Sequence, residues 1–160
     1  MKETRLFARS SVSNLVMHRI SLFKEKSMQD VTIKVFDKQI YESHSDTNET
    51  KFKGQLTYKG SSVYITFKDT QTGVTTFIKA KKGIVSVKRM GSLQGNLEFN
   101  REMPHRTLYF TPYGEMEIQI ITHSCQVEAK EKGIKIALDY QIRMQGKKIS
   151  DNIYIIEANQ

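Results

Sequence analysis

Arg89, Arg101 and Arg106 stand where apolar alternation would carry them into the interior of a fold. Counting every second residue, Arg89 shares a face with Val85 and Val87, Arg101 with Leu97 and Phe99, and Arg106 with Leu108 and Phe110. A guanidinium holds a carboxylate or phosphate through two parallel hydrogen bonds, and stripping it of water without a partner is costly. An inward arginine therefore has two outcomes: internal acids neutralise it, or it rings an opening and attracts an anionic head group. Both stay open at this point. Arg101 ends one run and Arg106 begins the next, so both are expected at one mouth, beside His105 at their shared turn. Arg89 is expected at the opposite end, near Gly91–Gly95. In the receptor outcome an apolar tail would lodge against Phe99, Phe110 and Leu138. Tyr140 shares a face with Ile136, Leu138 and Ile142, which predicts a buried ring whose hydroxyl has a partner or points into a cavity. These eight residues are the ligand-binding candidates.

Catalytic constellations are thin. Ser124, His123 and Asp139 supply the types for nucleophilic catalysis, but neighbours on a strand point to opposite faces, so Ser124 and His123 cannot easily share a hydrogen bond. His123 and Cys125 would share a face, with His105 as a third metal ligand, whereas a zinc site wants three or four. The Gly91–Gly95 turn has no helix after it, so it is a hairpin and no phosphate loop. Nothing places two carboxylates on an inward face for glycoside hydrolysis. No catalytic residue, metal or cofactor is assigned, and a non-enzymatic role is expected. The alternative to a small ligand is nucleic acid: Lys79, Lys81, Lys82, Lys88 and Arg89 cluster in sequence with Tyr58, Tyr64 and Phe77 near them.

The elements that must position these residues are strands. Val31, Ile33 and Val35 alternate with Thr32 and Lys34; Val63, Ile65 and Phe67 alternate with Tyr64 and Thr66. The clearest run is Ile134, Ile136, Leu138, Tyr140, Ile142 and Met144, set against Lys135, Ala137, Asp139, Gln141 and Arg143. After Met28 no stripe has the three-and-four spacing of a helix. Turn residues at Lys59-Gly60, Asp69–Gly73, Lys82-Gly83, Gly91–Gly95, Met103-Pro104, Pro112–Gly114, Lys132-Gly133 and Gln145-Gly146 delimit strands near 30–41, 52–59, 62–68, 73–81, 84–90, 94–101, 105–112, 115–129 and 133–145, with a tenth near 149–157. Glu42–Thr50 has no pattern and is expected to be a loop. A sequential antiparallel sheet of this size must dispose of its edges, and closure removes them. The prediction is all-β: a single closed up-and-down barrel of about 8–10 strands.

The stretches Gly54–Tyr58, Tyr64 to Phe67, Val87–Gly91, Leu97-Glu98-Phe99 and Thr111-Pro112-Tyr113-Gly114 resemble the YwiB-like family of Gram-positive bacteria, a domain of unknown function classed with the calycin, lipocalin-like barrels. The resemblance covers about residues 29–158. It implies a calycin-type barrel and a cytoplasmic bacterial setting, with no activity attached. Calycins elsewhere bind small apolar ligands, but fold does not imply function.

Composition agrees with one globular domain: 38% hydrophobic and 26% charged residues, two prolines and nine glycines exclude collagen-like and low-complexity chains. The single Cys125 excludes a disulfide framework. No apolar run is long enough for a membrane helix. Of the net charge of +8, half sits in Met1–Ser27, where Lys2, Arg5, Arg9, Arg19, Lys24 and Lys26 face only Glu3 and Glu25. This segment has the make-up of an amphipathic transit peptide or a basic arm, and it lacks the apolar core of a signal peptide. Regular alternation starts only at Val31, and codons for Lys24-Glu25 can spell a ribosome-binding sequence, so Met28 is the expected start and residues 1–27 are expected to lie outside the domain, disordered or as a loosely attached helix. The domain is then 28–160. The reading is a cytoplasmic barrel that binds an apolar or anionic small molecule, with no membrane partner.

Overall fold

The computed structural model describes residues 28–160, and the expectations for 1–27 lie outside the described residues. Strand segments cannot satisfy their backbone groups alone, and here each pairs with its neighbour along the chain. The strands are β1 (Gln29–Ile40), β2 (Ser45–Lys59), β3 (Ser62–Lys68), β4 (Thr75–Lys81), β5 (Ile84–Met90), β6 (Gly95–Phe99), β7 (His105–Thr111), β8 (Gly114–Lys130), β9 (Gly133–Met144) and β10 (Lys147–Asn159). They form one ten-stranded antiparallel sheet in the order β6-β5-β4-β3-β2-β1-β10-β9-β8-β7. The chain runs as a meander, and the β1–β10 ladder, Thr32 opposite Asn159 to Ile40 opposite Asp151, joins first strand to last. The sheet curls until β6 and β7 meet, where Gln94 and Phe110 exchange hydrogen bonds of 2.9 and 2.8 Å. The result is the expected all-β barrel, nearly closed, with one thin seam.

Tight hairpins set the meander. Lys82 (φ 50°) with Gly83 (φ 76°), and Gln145 (φ 49°) with Gly146 (φ 77°), adopt the paired left-handed conformation that matches strand twist in two-residue turns.

Along several strands the inward row changes character from one end of the barrel to the other. Ile33, Leu56, Ile65, Ile78, Val85, Phe99, Ile120, Ile136, Leu138 and Ile156 pack into a floor from which water is almost wholly excluded. Burying such side chains is worth about 1.5–3 kcal/mol each before the entropy of ordering is set against it. Past the floor several of these rows turn polar, while others, such as those ending in Phe52, Phe67, Ile118 and Ile142, stay apolar. Beyond Ile33 and Val35 in β1 come Asp37 and Gln39; beyond Val85 and Val87 in β5 comes Arg89; beyond Ile156 and Tyr154 in β10 come Asn152 and Ser150.

Three expectations are corrected. Glu42–Thr50 is no loop: β2 begins at Ser45, and Ser45–Thr50 pair with Ile40–Val35. β3 joins β2 only at Gly54–Lys59, so Ser45–Lys51 is paired on one side only and is exposed, reaching the rim of the barrel's cavity through Asn48 and Thr50. With no core on either side, nothing in the sequence enforces alternation. In the second correction, β6 stops at Phe99 and the Asn100 side chain accepts a hydrogen bond from the Glu102 N–H at 3.0 Å, which turns the chain. Arg101 therefore lies in an exposed turn, and β7 turns its odd-numbered residues inward, as β6 does with Leu97 and Phe99, and not the row of Leu108 and Phe110 that was expected. His105, Thr107 and Tyr109 are the less exposed row, while Arg106, Leu108 and Phe110 face outward, Phe110 being 44% exposed. In the third, a bulge in β8 between Thr122 and Ser124 breaks the count. His123 stays exposed while Cys125 turns partly into the core, so the two do not share a face.

Candidate functional site

The polar end of the barrel encloses a cavity of about 670 Å³, within the roughly 300–1,000 Å³ of small-molecule pockets. Its apolar wall includes Val35, Phe52, Phe67, Leu97 and Ile118, and its polar groups include Asp37, Thr76, Arg89, Tyr109, Tyr140 and Tyr154.

Arg89 is the centre of this end. Its Nη1 donates to the Tyr109 hydroxyl at 3.0 Å, and its guanidinium carbon lies 5.6 Å from the centroid of the Tyr154 ring. The bond to Tyr109 crosses the seam, from β5 past β6 to β7. It is possible because Gly95 lies between: a Cβ there would come within 2.4 Å of the Tyr109 ring. Burial alone would pull the Arg89 pKa down, but Tyr154 and Tyr109 more than offset it, so the net shift is upward and the cation persists. Among the described residues no carboxylate stands within ion-pair distance of it. Its charge is solvated by phenols, and among the described residues no carboxylate is in contact with it.

Asp37 is the carboxylate that shares the cavity. Burial pushes its pKa up, and the field of Arg89 and a hydrogen bond with Gln39 recover only part of the shift. Gln39 in turn accepts from the Tyr41 hydroxyl. Tyr140 is 7% exposed and sets its ring against Phe99 edge-on, centroids 4.6 Å apart, where floor and cavity meet. Burial pushes its hydroxyl well up, against the pull of Arg89, and Tyr154 behaves alike. Both remain neutral hydrogen-bonding groups.

The structure thus places Arg89 and Tyr140 at one cavity. Phe99 and Leu138 lie beneath it in the closed floor. Arg101, Arg106 and Phe110 are outside the barrel, and His105 sits on the seam with Nε2 3.1 Å from the Asn96 carbonyl oxygen. Arg101 and Arg106 do not share an inward mouth as expected, and of the three arginines Arg89 alone lines the cavity. Of the basic and aromatic residues considered for nucleic acid, Arg89 and Tyr58 are inside, whereas Lys79, Lys81, Lys82, Lys88, Tyr64 and Phe77 are on the outer face. Among the described residues no three of His, Cys, Asp and Glu gather in a way that could hold a metal. Cys125 is partly buried, and burial raises its thiol pKa despite the Val85 backbone and Arg101, so it is a poor nucleophile.

Sequence reasoning missed Asp37, Tyr109, Tyr154 and Gly95. Asp37 was legible as the continuation of the Val31-Ile33-Val35 row, and Tyr154 as the alternate of Ile156 and Ala158. Tyr109 was hidden by its apolar neighbours Leu108 and Phe110, which are the outer row of β7, and Gly95 needed the ring that crosses it.

A nearly closed antiparallel barrel with a packed floor and a cavity at one end is the class that this fold and site define. Residues 31–156 match the domain of unknown function DUF1934, and the chain belongs to that family. The crystal structure of the ywiB protein from Bacillus subtilis is similar, with a TM-score of 0.74 and 22% identity over 84% of this chain and 93% of that one. A curated protein named phosphoribosylformylglycinamidine synthase subunit PurL, from Thermoanaerobacter pseudethanolicus (strain ATCC 33223 / 39E), is 28% identical over 134 residues, 83% of this chain. The chain spans 16% of that protein's length. Among the described residues no helix is long and apolar enough to cross a membrane.

Proposed function

We propose that the chain is a non-enzymatic, calycin-like receptor for a small anionic molecule, held in the cavity by Arg89. The observation that carries this is a guanidinium inside the barrel, bonded to Tyr109 and faced by Tyr154, with no carboxylate among the described residues within ion-pair distance. A phosphate or carboxylate there would gain charge-assisted, bidentate hydrogen bonds in surroundings of low polarity. The phenols of Tyr109, Tyr140 and Tyr154 add neutral donors, and Phe52, Phe67 and Leu97 offer an apolar wall for the rest of the ligand. Asp37 favours a ligand that also carries a hydrogen-bond donor. The name of the relative from Thermoanaerobacter pseudethanolicus concerns a phosphoribosyl compound, which is of this chemical class. A single, partly buried thiol is consistent with a reducing, cytoplasmic compartment.

The first probes are therefore ribose 5-phosphate, a medium-chain fatty carboxylate, and neutral ribose. Thermal unfolding with each should show stabilisation by at least one anion and none by ribose. Stabilisation follows RT ln(1 + [L]/Kd), so about 2.7 kcal/mol is expected at a hundredfold excess over Kd. Equal stabilisation of the Arg89→Gln variant would contradict the assignment.

A further inference from the structure

The outer face of the sheet, opposite the cavity wall, carries a second feature that the receptor reading does not use. On β3 and β4, Tyr64 lies directly across from Lys79; on β4 and β5, Phe77 lies directly across from Lys88. Phe77 is thus the diagonal neighbour of Tyr64, at about 7–8 Å, close enough for both rings to belong to one platform. Lys59 Nζ and Lys79 Nζ stand 5.8 and 5.7 Å from the Tyr64 ring centroid, one from each neighbouring strand. Lys81 continues the row, across from Ser62.

Phe77 is 39% exposed on the convex side of a barrel, where it adds nothing to the floor. Among the described residues none of Lys59, Lys79, Lys81 and Lys88 is paired with a carboxylate. Glu98, at the edge of the face across from Ser86, is the acid nearest these lysines, and Glu49 lies at the far end of the β2 row. By contrast, β8 carries Glu115, Glu117 and Glu128, so positive charge is gathered on one side of the barrel and not spread over it. Uncompensated lysines around two aromatic rings are the two parts of a single-strand platform: rings stack on bases and ammonium groups follow phosphates.

We propose that the outer face of β2–β5 binds single-stranded nucleic acid, with Tyr64 and Phe77 stacking on successive bases and Lys59, Lys79, Lys81 and Lys88 engaging the backbone. Stacking requires splayed bases, so a duplex, which presents only its backbone, is a poorer partner. The lysines over Tyr64 swing from ring to phosphate when a base arrives. Among the described residues no arginine stands on this face, so recognition by the sheet is tolerant of sequence.

The test is fluorescence anisotropy of labelled 12-nucleotide oligo(U) and oligo(dT), titrated with the full chain at several salt concentrations. Affinity should fall with salt at a log–log slope of about −0.7 for each lysine engaged. Phe77→Ala should weaken binding roughly tenfold while leaving the slope unchanged, because it removes a stack and no charge. Lys79→Gln and Lys88→Gln should each flatten the slope by about 0.7. A preference for either oligomer supports the proposal and identifies the sugar. Since Met1–Ser27 is basic too, loss on Phe77→Ala with that segment intact assigns the binding to the sheet. Arg89→Gln should leave it unaffected, so this proposal and the cavity reading fail separately. Absence of binding at low salt, or a duplex and heparin bound as tightly as oligo(U) with Phe77→Ala silent, would overturn it.

Discussion

The two ends of the barrel interior are lined by the same strands in the same register, yet they obey different physics. At the floor, Ile33, Ile65, Phe99, Ile136 and Ile156 interdigitate, and the only polar requirement is the backbone ladder itself. At the mouth, the same inward rows deliver Asp37, Arg89, Tyr109 and Tyr154. Apolar packing there is confined to the wall, as where Phe52 stacks on Phe67, and order comes also from the Arg89–Tyr109 bond across the seam, the ring of Tyr154 and the Asn152–Ser150 pair, whose Nδ2 and Oγ are 3.0 Å apart. The comparison teaches a division of labour. One end is packed dry; the other bridges the seam with polar bonds and accepts incomplete compensation of a buried cation, the arrangement that an anionic ligand would complete.

That division is broken first at the floor. Phe99→Ala removes a ring that is 1% exposed and packed on Tyr140, and should cost about 3–5 kcal/mol in urea unfolding. The variant that still folds should keep its response to anions, because Arg89 is untouched. Loss of both together would mean that the two ends are one unit.

Gly95→Ala acts on the boundary. Its new Cβ meets the Tyr109 ring at 2.4 Å, so the ring must move and the bond to Arg89 must lengthen. Overpacking of this kind should cost about 1–3 kcal/mol, and anion affinity should change with it. A variant as stable as the parent would show that the seam is looser than the Gln94–Phe110 bridge implies.

Asp37 sharpens the comparison through pH. Burial raises its folded pKa, so the protonated form is the one favoured by folding. This contribution is fully present below the ordinary carboxylate value of about 3.9 and is lost as pH rises through the raised folded value. Asp37→Asn should therefore be more stable than the parent at neutral pH, with the difference closing as pH falls into the carboxylate range. In Arg89→Gln, which removes the main group pulling it down, Asp37 should titrate higher still. A difference independent of pH would show that Asp37 is not held in the cavity.

The smallest effect belongs to Tyr140→Phe. The ring is buried, and among the described residues its hydroxyl has no hydrogen-bond partner and faces the cavity, so its removal should change stability by less than about 0.5 kcal/mol. A loss above about 1 kcal/mol would reveal a partner for the hydroxyl.

The floor was legible in the sequence because a packed interior forces strict period two, as in Ile134–Leu138 and Val63–Phe67. Hairpin turns were legible because Lys82-Gly83 and Gln145-Gly146 carry the residues that left-handed turns demand. The candidate site was half legible. Arg89 lies in an uninterrupted row and was placed inside; Arg101 falls in the turn after Asn100, and Arg106 lies on the outer row of β7, where exposed Leu108 and Phe110 mimic an inward apolar row. The bulge at His123 hid the turn of Cys125. Seam chemistry was not legible at all: Tyr109, Gly95 and Arg89 meet only because β6 and β7 close the sheet, a contact between strand edges that alternation does not encode.

The most direct measurement of the central claim is a calorimetric titration of the parent chain and of Arg89→Gln with ribose 5-phosphate, the fatty carboxylate and ribose. The account predicts that at least one anion binds the parent, that ribose does not, and that Arg89→Gln loses that binding while unfolding at nearly the parent's temperature. Binding retained by a folded Arg89→Gln, or a parent chain indifferent to every anion offered, would contradict it.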